Sequence, residues 1–403
     1  MRKILQLILK ILTKRVLSRY HPTVIGITGS VGKTSTKEAL YAVLYHNFFV
    51  RKTDDNKNNE LGVPMTVLGI GPTLKGLLKG IWLAFGVSRR RYPSLLILEL
   101  GADRPDDIRY LADMVRPQIA IVTAVGEMPV HVQFYPSVQA VAREKSHILK
   151  YLGPNGLAIL NYDDPLVLRM SHGVKGKVTT FGFSNHADLW ASDMAYYLGD
   201  NKQVEGLSFK MHHGDAFVPV RTHGLIGAHQ IYSLLAAAAV GMHVGMNLVE
   251  IASALETFEP PAHRMTVLPG IKNSLIIDDT YNASPLSLQA ALDTLKDFGN
   301  ILQRRRIAVI GDMKELGSFE VQAHKKIGET LADKADYLIV VGELGAYIAE
   351  VARPKMHESR VLTFTSAAEA APKVRELMQE GDVVLVKGSR AMKMEVIVDV
   401  LKA

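Results

Sequence analysis

The sequence of 403 residues contains no cysteine. This absence excludes disulfide bonds, zinc sites built on thiolates and a cysteine nucleophile. It is compatible with the reducing cytoplasm, where we expect the protein to reside. With 48% hydrophobic and 22% charged residues, the composition is that of a globular chain that can bury an ample core.

Acidic residues are missing from the first twenty positions, which carry six basic residues: Arg2, Lys3, Lys10, Lys14, Arg15 and Arg19. This segment accounts for almost all of the net charge of +7, so the rest of the chain is nearly neutral. Residues beyond this segment carry almost no excess of positive charge, which nucleic-acid-binding proteins usually have, so we expect no nucleic-acid partner.

The same segment also lacks an uninterrupted apolar run. Lys10 breaks the run, no small-residue cleavage site follows, and the segment is too interrupted to span a bilayer. Its apolar residues recur at helical spacing, which predicts a basic amphipathic helix over residues 1–22: Ile4, Leu5, Ile8, Ile11, Leu12 and Val16. Such a helix either lies on an anionic membrane or packs on the protein body with its lysines in water.

Buried strands alternate with helices in the next part of the chain. The predicted elements are a helix at Ser35–His46 and three strands: Thr23–Ile27, Leu95–Leu98 and Ile119–Val122. This alternation predicts a mostly parallel sheet covered by helices on both faces, with a β-rich excursion at residues 175–222. We assign residues 23–262 to a central, P-loop-type ATP-binding domain.

Pro260 and Pro261 interrupt the chain, and the alternation restarts after them. Four further strands are predicted: Leu275–Ile277, Ile307–Ile310, Tyr337–Val341 and Val383–Val386. We therefore predict a second, smaller, Rossmann-like domain over residues 263–403. The predicted fold class of both domains is α/β.

A glycine-rich turn joins the first predicted strand to the first predicted helix, in the order Gly29, Ser30, Val31, Gly32, Lys33, Thr34, Ser35. Glycines let backbone N–H groups surround phosphate oxygens at a helix N-terminus. We expect Lys33 to reach the β- and γ-phosphates and Thr34 to bind Mg²⁺. The general pattern asks for glycine where the chain has Ile27, so a turn carrying a surface lysine is the alternative.

Three more polar side chains are candidate metal ligands. Glu99 ends a predicted strand, and the carboxyl ends of parallel strands line the binding crevice of an open sheet. His131 follows another predicted strand, and Lys145 lies on a predicted helix. Taken singly, Glu99 is better explained as a capping or ion-pair residue, His131 as a half-buried histidine and Lys145 as a solvated lysine.

Together these residues resemble the Mur ligase family, whose members activate a carboxylate with ATP and join it to an amine. The phosphate loop of that family is similar to residues 28–34. Six further segments resemble its MurF branch, in order along the chain: 56–64, 98–102, 161–164, 278–285, 311–317 and 387–395. The resemblance covers the chain from about residue 23 to the C-terminus.

The resemblance implies an ATP site with two Mg²⁺ ions. The implied nucleotide ligands are Gly29, Ser30, Val31, Gly32, Lys33, Thr34, Ser35, Gln230, Arg264 and Asp279. The implied metal ligands are Thr34, Glu99, His131 and Lys145, the lysine after carbamylation by CO₂. Lys33, His131 and Lys145 form the implied catalytic set, and the implied substrate contacts are Asn58, Asn59, Tyr281, Asn282 and Ser389.

The implied reaction is ATP-dependent formation of an amide bond through an acyl phosphate. In the MurF branch, D-alanyl-D-alanine is added to a peptidoglycan precursor peptide, and we expect these two as partners. Two alternatives stay open: a ligase for another acceptor, lipid-linked or polyglutamate, and a non-catalytic nucleotide-binding scaffold in cell-wall synthesis. The metal-ligand candidates, taken together, disfavour a scaffold, which has no need of them.

The chain departs from the MurF pattern at its start and on the adenine side. Only the basic helix precedes the glycine-rich turn, where the family carries a domain for the UDP-sugar. Gln230 and Ser233 stand where the family usually has asparagines. The basic helix at 1–20 and the apolar, basic stretch 77–91 together suggest contact with a membrane, which would place the protein peripherally on its inner face.

Overall fold

The computed structural model describes residues 2–54, 57–86, 91–129, 132–199 and 204–403. These residues form two β-sheets that follow one another along the chain, each packed against helices. The predicted α/β class, with a large, mostly parallel sheet and a smaller second one, is confirmed. The domain limits placed at residues 22/23 and 262/263 stay predictions.

Nine strands form the first sheet: β1 (Thr23–Thr28), β2 (Val50–Lys52), β3 (Leu95–Glu99), β4 (Ile119–Val122), β5 (Leu157–Asn161), β6 (Lys177–Gly182), β7 (Leu189–Leu198), β8 (Val204–His213) and β9 (Ala216–His223). Their order is β2-β3-β1-β4-β5-β6-β7-β8-β9, parallel as far as β7 and antiparallel from β7 to β9. The two antiparallel ladders confirm the β-rich excursion. Because β1 lies between β3 and β4, the loops that follow these strands meet at one edge of the sheet.

The central strands of this sheet are apolar on both sides because helices cover both faces. In β3, Leu95 and Ile97 belong to one buried cluster, and Leu96 and Leu98 belong to the other. The first cluster includes α2 (Lys33–Leu44), α8 (Ile231–His243) and α9 (Leu248–Glu256). The second includes α1 (Arg2–Tyr20), α3 (Gly62–Leu68), α4 (Leu74–Phe85), α5 (Asp107–Val115), α6 (Val138–Ser146) and α7 (Pro165–Leu168).

Six strands form the second sheet: β10 (Thr266–Gly270), β11 (Ser274–Asp279), β12 (Arg306–Gly311), β13 (Tyr337–Val341), β14 (Val361–Phe364) and β15 (Val383–Lys387). Their order is β10-β11-β15-β12-β13-β14, and only the pairing of β10 with β11 is antiparallel. The helices of this part are α10 (Pro285–Leu302), α11 (Glu320–Thr330), α12 (Gly345–Ala352), α13 (Ala367–Leu377) and α14 (Glu395–Leu401). All four strands predicted here are confirmed.

The helix predicted at Ser35–His46 begins and ends two residues earlier, at Lys33 and Leu44. Gly32 adopts a left-handed conformation with φ of 84°, and helical dihedrals begin with the residue after it. At the other end, the amide of Asn47 donates to the carbonyl of Leu44 at 3.3 Å, a tighter bond over three residues that closes a turn at the end of the helix.

The N-terminal helix α1 packs on the protein body with one of its faces. Leu9, Leu12 and Val16 are buried in the same cluster as residues of α3, α4 and α5. Lys14 donates to Asp113 of α5 at 3.0 Å. The interpretation as a helix packed on the body is therefore confirmed for this inner face. Across the part of the chain that the structure describes, no helix combines the length and apolarity needed to cross a bilayer.

Two neighbouring residues of α1 test its role in the core. Leu12 is 3% exposed and Ile11 is 53% exposed. Leu12→Ala is expected to lower the free energy of unfolding by about 2–5 kcal/mol, because it opens a cavity. Ile11→Ala is expected to change it by less than about 0.5 kcal/mol. Urea unfolding of both variants measures the difference, and equal midpoints would show that α1 is not part of the core.

Candidate active site

The turn between β1 and α2 requires glycine at its first position. Gly29 has a φ of 148°, and a Cβ added there would lie 2.0 Å from Oγ1 of Thr123. The same hydroxyl donates to the carbonyl of Val31 at 2.6 Å. Gly32, with φ of 84°, directs the chain into α2. Thr123 follows β4, so the neighbouring strand fixes the shape of the turn.

The interior of this turn fits a chain of phosphates. No side chain caps the N-terminus of α2, so the first N–H groups of the helix are left for a ligand. Oγ of Ser30 is buried and has no hydrogen-bond partner among the described residues. The ammonium group of Lys33 folds back over the turn and donates to the carbonyl oxygens of Gly29 at 2.8 Å and of Ser30 at 3.3 Å.

The end of β3 supplies a buried carboxylate to the same place. Thr34 donates its hydroxyl hydrogen to Oε2 of Glu99 at 3.1 Å, and Nδ2 of Asn58 donates to Oε1 at 3.1 Å. The backbone N–H of Glu99 donates to Oγ1 of Thr53 at 3.0 Å. A hydroxyl beside a carboxylate is an oxygen donor set of the kind that Mg²⁺ takes next to phosphate. These residues therefore fit the implied Mg²⁺ ion.

Lys145 of α6 is 3% exposed and electrostatically coupled to this cluster. Burial lowers its pKa to about 7, the positive charge of Lys33 acts in the same direction, and Glu144 and Asp103 oppose both. Burial also lowers the pKa of Lys33, against the attraction of Glu99. A lysine whose pKa is near neutrality presents a substantial fraction of free amine, which is the form that reacts with CO₂.

Arg264 reaches the phosphate loop from the C-terminal half of the chain. Its Nη2 donates to Oγ1 of Thr34 at 3.2 Å, and its guanidinium carbon lies 3.9 Å from the ring centroid of Tyr281. The preceding residue, His263, has a φ of 60° and lies with Nδ1 2.8 Å from a carboxylate oxygen of Asp278. This local geometry turns Arg264 toward the first sheet.

A buried lysine organises the segment that follows β11. Nζ of Lys387 donates to a carboxylate oxygen of Asp279 at 2.5 Å and to the carbonyl of Asn282 at 2.8 Å. Ser389 lies apart from these contacts, and its Oγ accepts from the backbone N–H of Lys314 at 2.8 Å. Asp279 and Asn282 are therefore held together, whereas Ser389 supports a neighbouring loop.

One of the two adenine-side residues connects the two halves of the molecule. Nε2 of Gln230 donates to the carbonyl of Arg264 at 3.4 Å, and Thr36 of α2 donates to Oγ of Ser233 at 3.2 Å. Beside them, burial lowers the pKa of His229 to about 4, with Asp279 opposing the shift. Of the two residues that replace the family's asparagines, Gln230 thus contacts the second half of the chain, whereas Ser233 contacts α2 within the first half.

The two asparagines predicted to bind substrate have different surroundings. Asn58 contacts Glu99, as described above, whereas Oδ1 of Asn59 accepts from the N–H groups of Leu61 at 3.1 Å and Gly62 at 3.0 Å, at the start of α3. His131 lies outside the described residues, so its predicted metal-binding role stays a prediction.

Sequence reasoning missed three residues of this cluster. Thr123 shapes the phosphate loop, Lys387 holds Asp279, and Asp103 interacts electrostatically with both Lys33 and Lys145. Thr123 and Lys387 lie at or directly after the carboxyl end of a parallel strand, and Asp103 lies in the loop that follows β3. A search for polar side chains at strand ends would have found the first two.

Two sequence profiles match the chain, the Mur ligase middle domain over residues 27–241 and the Mur ligase glutamate ligase domain over residues 263–390. A UDP-N-acetylmuramoyl-tripeptide--D-alanyl-D-alanine ligase of Bacillus subtilis is 31% identical over 393 residues, which cover 96% of this chain and 77% of that protein. MurF from Acinetobacter baumannii matches with a TM-score of 0.82 at 28% identity, over 98% of this chain and 80% of that one. MurF of Thermotoga maritima in complex with ADP matches with a TM-score of 0.80 at 26% identity, over 97% and 82%.

A pair of glycines tests the phosphate loop. Gly29→Ala places a methyl group against Thr123, whereas at Gly153 an added Cβ meets nothing within 4 Å. Gly29→Ala is expected to weaken ATP binding by about tenfold or more, equivalent to at least about 1.4 kcal/mol. Gly153→Ala is the matched control and should bind as the wild type does. Isothermal titration with ATP and Mg²⁺ measures both, and unchanged affinity of Gly29→Ala would refute the assignment of this loop.

Proposed function

Because the chain belongs to the Mur ligase family, we propose that its cleft catalyses ATP-dependent addition of D-alanyl-D-alanine to a peptidoglycan precursor peptide. The observation that carries the proposal is the contact of Thr34 with both Glu99 and Arg264. It brings a phosphate loop, a buried carboxylate and a cation from the other half of the chain to one point. A ligase that works through a phosphorylated carboxylate needs these three groups together.

ATP and Mg²⁺ are the cofactors of this family. We assign the triphosphate to residues 29–35, with Lys33 against its terminal phosphates, and one Mg²⁺ ion to Thr34 and Glu99. The metal supplies positive charge that offsets the negative charge of the reacting groups. Gln230 is assigned to the adenine, and Arg264 with Asp279 to the nucleotide from the second sheet.

Lys145 is assigned as a carbamylated lysine, which would serve as an anionic ligand for a second Mg²⁺ ion together with His131. The support for this assignment is the burial of Lys145 and its pKa of about 7. Carbamylation replaces a buried positive charge with a negative one, so the repulsion between Lys145 and Lys33 becomes attraction. The substrates are assigned to Asn58, Asn59, Tyr281, Asn282 and Ser389.

The first step of the reaction brings two negatively charged groups together, the carboxylate of the peptide and the terminal phosphate of ATP. A carboxylate oxygen of the peptide attacks the terminal phosphate, the bond from that phosphorus to the bridging oxygen breaks, and an acyl phosphate forms. Lys33 and Arg264 stabilise the charge that accumulates. The amine of the incoming dipeptide then attacks the carbonyl carbon, inorganic phosphate leaves, and the proton lost by the amine nitrogen passes to that phosphate or to water. Because water would hydrolyse the acyl phosphate, the two halves of the chain must enclose it, and the contact of Arg264 with Thr34 brings them together at this point.

A cytoplasmic location, peripheral on the inner membrane face, is also proposed, with contact through residues 1–20 and 77–91. Residues 87–90 of the second stretch lie outside the described residues. The support comes from the exposed apolar side chains of α1 and α4, among them Ile4 and Leu74. Contact with a membrane would favour a lipid-linked acceptor over a soluble one.

A phosphate-release screen tests the proposed function. The amines are D-alanyl-D-alanine and glutamate, and the acceptors are a soluble UDP-linked tripeptide and its lipid-linked counterpart. We expect phosphate release only with D-alanyl-D-alanine and a peptide acceptor. Release confined to glutamate would replace the proposal with a polyglutamate-type ligase. Nucleotide binding without amine-dependent release for any pair would point to the scaffold.

Substitution of three lysines by alanine distinguishes a catalytic role from a structural one. Lys33→Ala and Lys145→Ala are each expected to lower amine-dependent phosphate release by at least about a hundredfold, because the first removes a positive charge at the reacting phosphate and the second removes a ligand of the second Mg²⁺ ion. Short carboxylates such as acetate should partly rescue Lys145→Ala and not Lys33→Ala. Lys150→Ala, an exposed lysine directly after α6, is the control. Full activity of either cleft variant would contradict the assigned mechanism.

The pKa of Lys145 predicts how activation depends on pH. Only the neutral amine reacts with CO₂, and protonation of Lys145 competes with that reaction below about pH 7. Formation of the carbamate anion from the neutral amine also releases one proton. The concentration of dissolved CO₂ needed for half-maximal activity should therefore rise about tenfold for each unit that the pH falls above the pKa, and about a hundredfold per unit well below it. Activity independent of CO₂ at pH 6 would refute carbamylation.

A further inference from the structure

Helix α4 presents its large apolar side chains to solvent. Its fully buried residues are small, Gly76, Gly80 and Ala84, and Leu77 and Leu83 are partly buried against the same cluster. Its outer face carries large apolar side chains that are 40–74% exposed: Leu74, Leu78, Ile81, Trp82 and Phe85. A surface helix of a globular protein normally has the reverse arrangement. Large exposed apolar patches mark sites of contact with another body.

Helix α1 adds a second apolar stripe. Ile4, Leu7 and Ile11 are spaced three and four residues apart, and they are 65%, 59% and 53% exposed. Residues at this spacing share one side of a helix. The stripe lies on the side of α1 opposite to its core residues Leu9 and Val16. Thus α1 is apolar on two sides, and only one of them is covered by the protein.

The two stripes belong to adjacent helices. Nη1 of Arg19 donates to the carbonyl oxygens of Leu83 at 3.5 Å and Ala84 at 3.4 Å, which joins α1 to the end of α4. The guanidinium carbon of Arg15 lies 5.7 Å from the ring centroid of Phe85. Since Arg15 and Phe85 are both exposed, the outer sides of the two helices meet here. We call this surface the α1–α4 face.

The two helices that form the α1–α4 face carry basic residues and no acidic ones; Glu60 and Asp113, which pair with Arg2, Lys10 and Lys14, come from other elements. No acidic residue occurs at positions 1–37 or 61–98, which include both helices. Lys3, Arg15, Lys75 and Lys79 are exposed, and no ion pair within the described residues includes them. Cations around an apolar patch match the surface of an anionic bilayer, where lipid tails accept the apolar groups and headgroups accept the cations.

We propose that the α1–α4 face docks the protein on an anionic lipid bilayer. Trp82 supports a bilayer over a protein partner, because tryptophan favours the boundary between headgroups and tails. Only the biological purpose of this docking rests on the proposed function, because a ligase held at a membrane meets a lipid-linked acceptor. The binding itself requires neither ATP nor catalysis.

Substitutions on the outer face test this docking without removing α1, whose inner side chains belong to the core. The test variant is Leu78→Glu with Phe85→Glu, at positions that are 59% and 58% exposed. The matched control is Val249→Glu with Val321→Glu, which are 68% and 41% exposed on other helices. Both variants carry the same change in charge, so only position distinguishes them.

Co-sedimentation uses vesicles of phosphatidylcholine with phosphatidylglycerol, and vesicles of phosphatidylcholine alone, in the absence of ATP. The wild type and the Val249→Glu, Val321→Glu control should partition at least about tenfold more strongly onto the anionic vesicles. Leu78→Glu with Phe85→Glu should lose about tenfold or more of that binding. Activity with soluble substrates, measured on the same preparations, shows that the variants are folded.

Three results would overturn the docking proposal. One is a wild-type protein that stays in the supernatant with anionic vesicles. Another is equal binding of the Leu78→Glu, Phe85→Glu variant and the wild type. The third is self-association of the wild type that the Leu78→Glu, Phe85→Glu variant loses, with no lipid binding by either form. The α1–α4 face would then contact a second copy of the chain. Vesicle binding without ligase activity in the wild type would contradict the proposed function and leave docking intact.

Discussion

The hydroxyl of Thr34 connects the two halves of the molecule. It donates to Glu99, at the end of β3, and accepts from Arg264, which belongs to the second half of the chain. Gly29 and Thr123 fix the loop that leads to Thr34, so this hydroxyl has a defined position. A ligand bound at Thr34 therefore contacts both halves of the chain at once. Its binding free energy favours the arrangement in which the two halves are in contact.

Positive charge is concentrated around that point. Burial lowers the pKa of Lys145, and the positive charge of Lys33 lowers it further; burial also lowers the pKa of Lys33, with Arg264 acting in the same direction. Glu99 offsets part of this repulsion. A polyphosphate placed beside Lys33 and Arg264 would offset their repulsion and favour the charged form of Lys33. The same electrostatics favour carbamylation of Lys145, which removes one of the competing cations.

The architecture of the sheets was predictable from sequence because strands buried on both faces appear as short apolar runs, as at Ile119–Val122. The phosphate loop was predictable because its glycines are local. The contact between Arg264 and Thr34 was not, since it joins residues 230 positions apart and depends on how the two sheets pack. Periodicity predicted the helix of α1, yet the same periodicity left open whether its core side meets protein or lipid.

The most direct test of this account is a crystal structure with a non-hydrolysable ATP analogue and Mg²⁺. The account predicts the triphosphate within the turn that begins at Gly29, a metal ion on Thr34 and Glu99, and Arg264 on the opposite side of the phosphates. A nucleotide bound elsewhere, or a metal ion that contacts neither Thr34 nor Glu99, would contradict it.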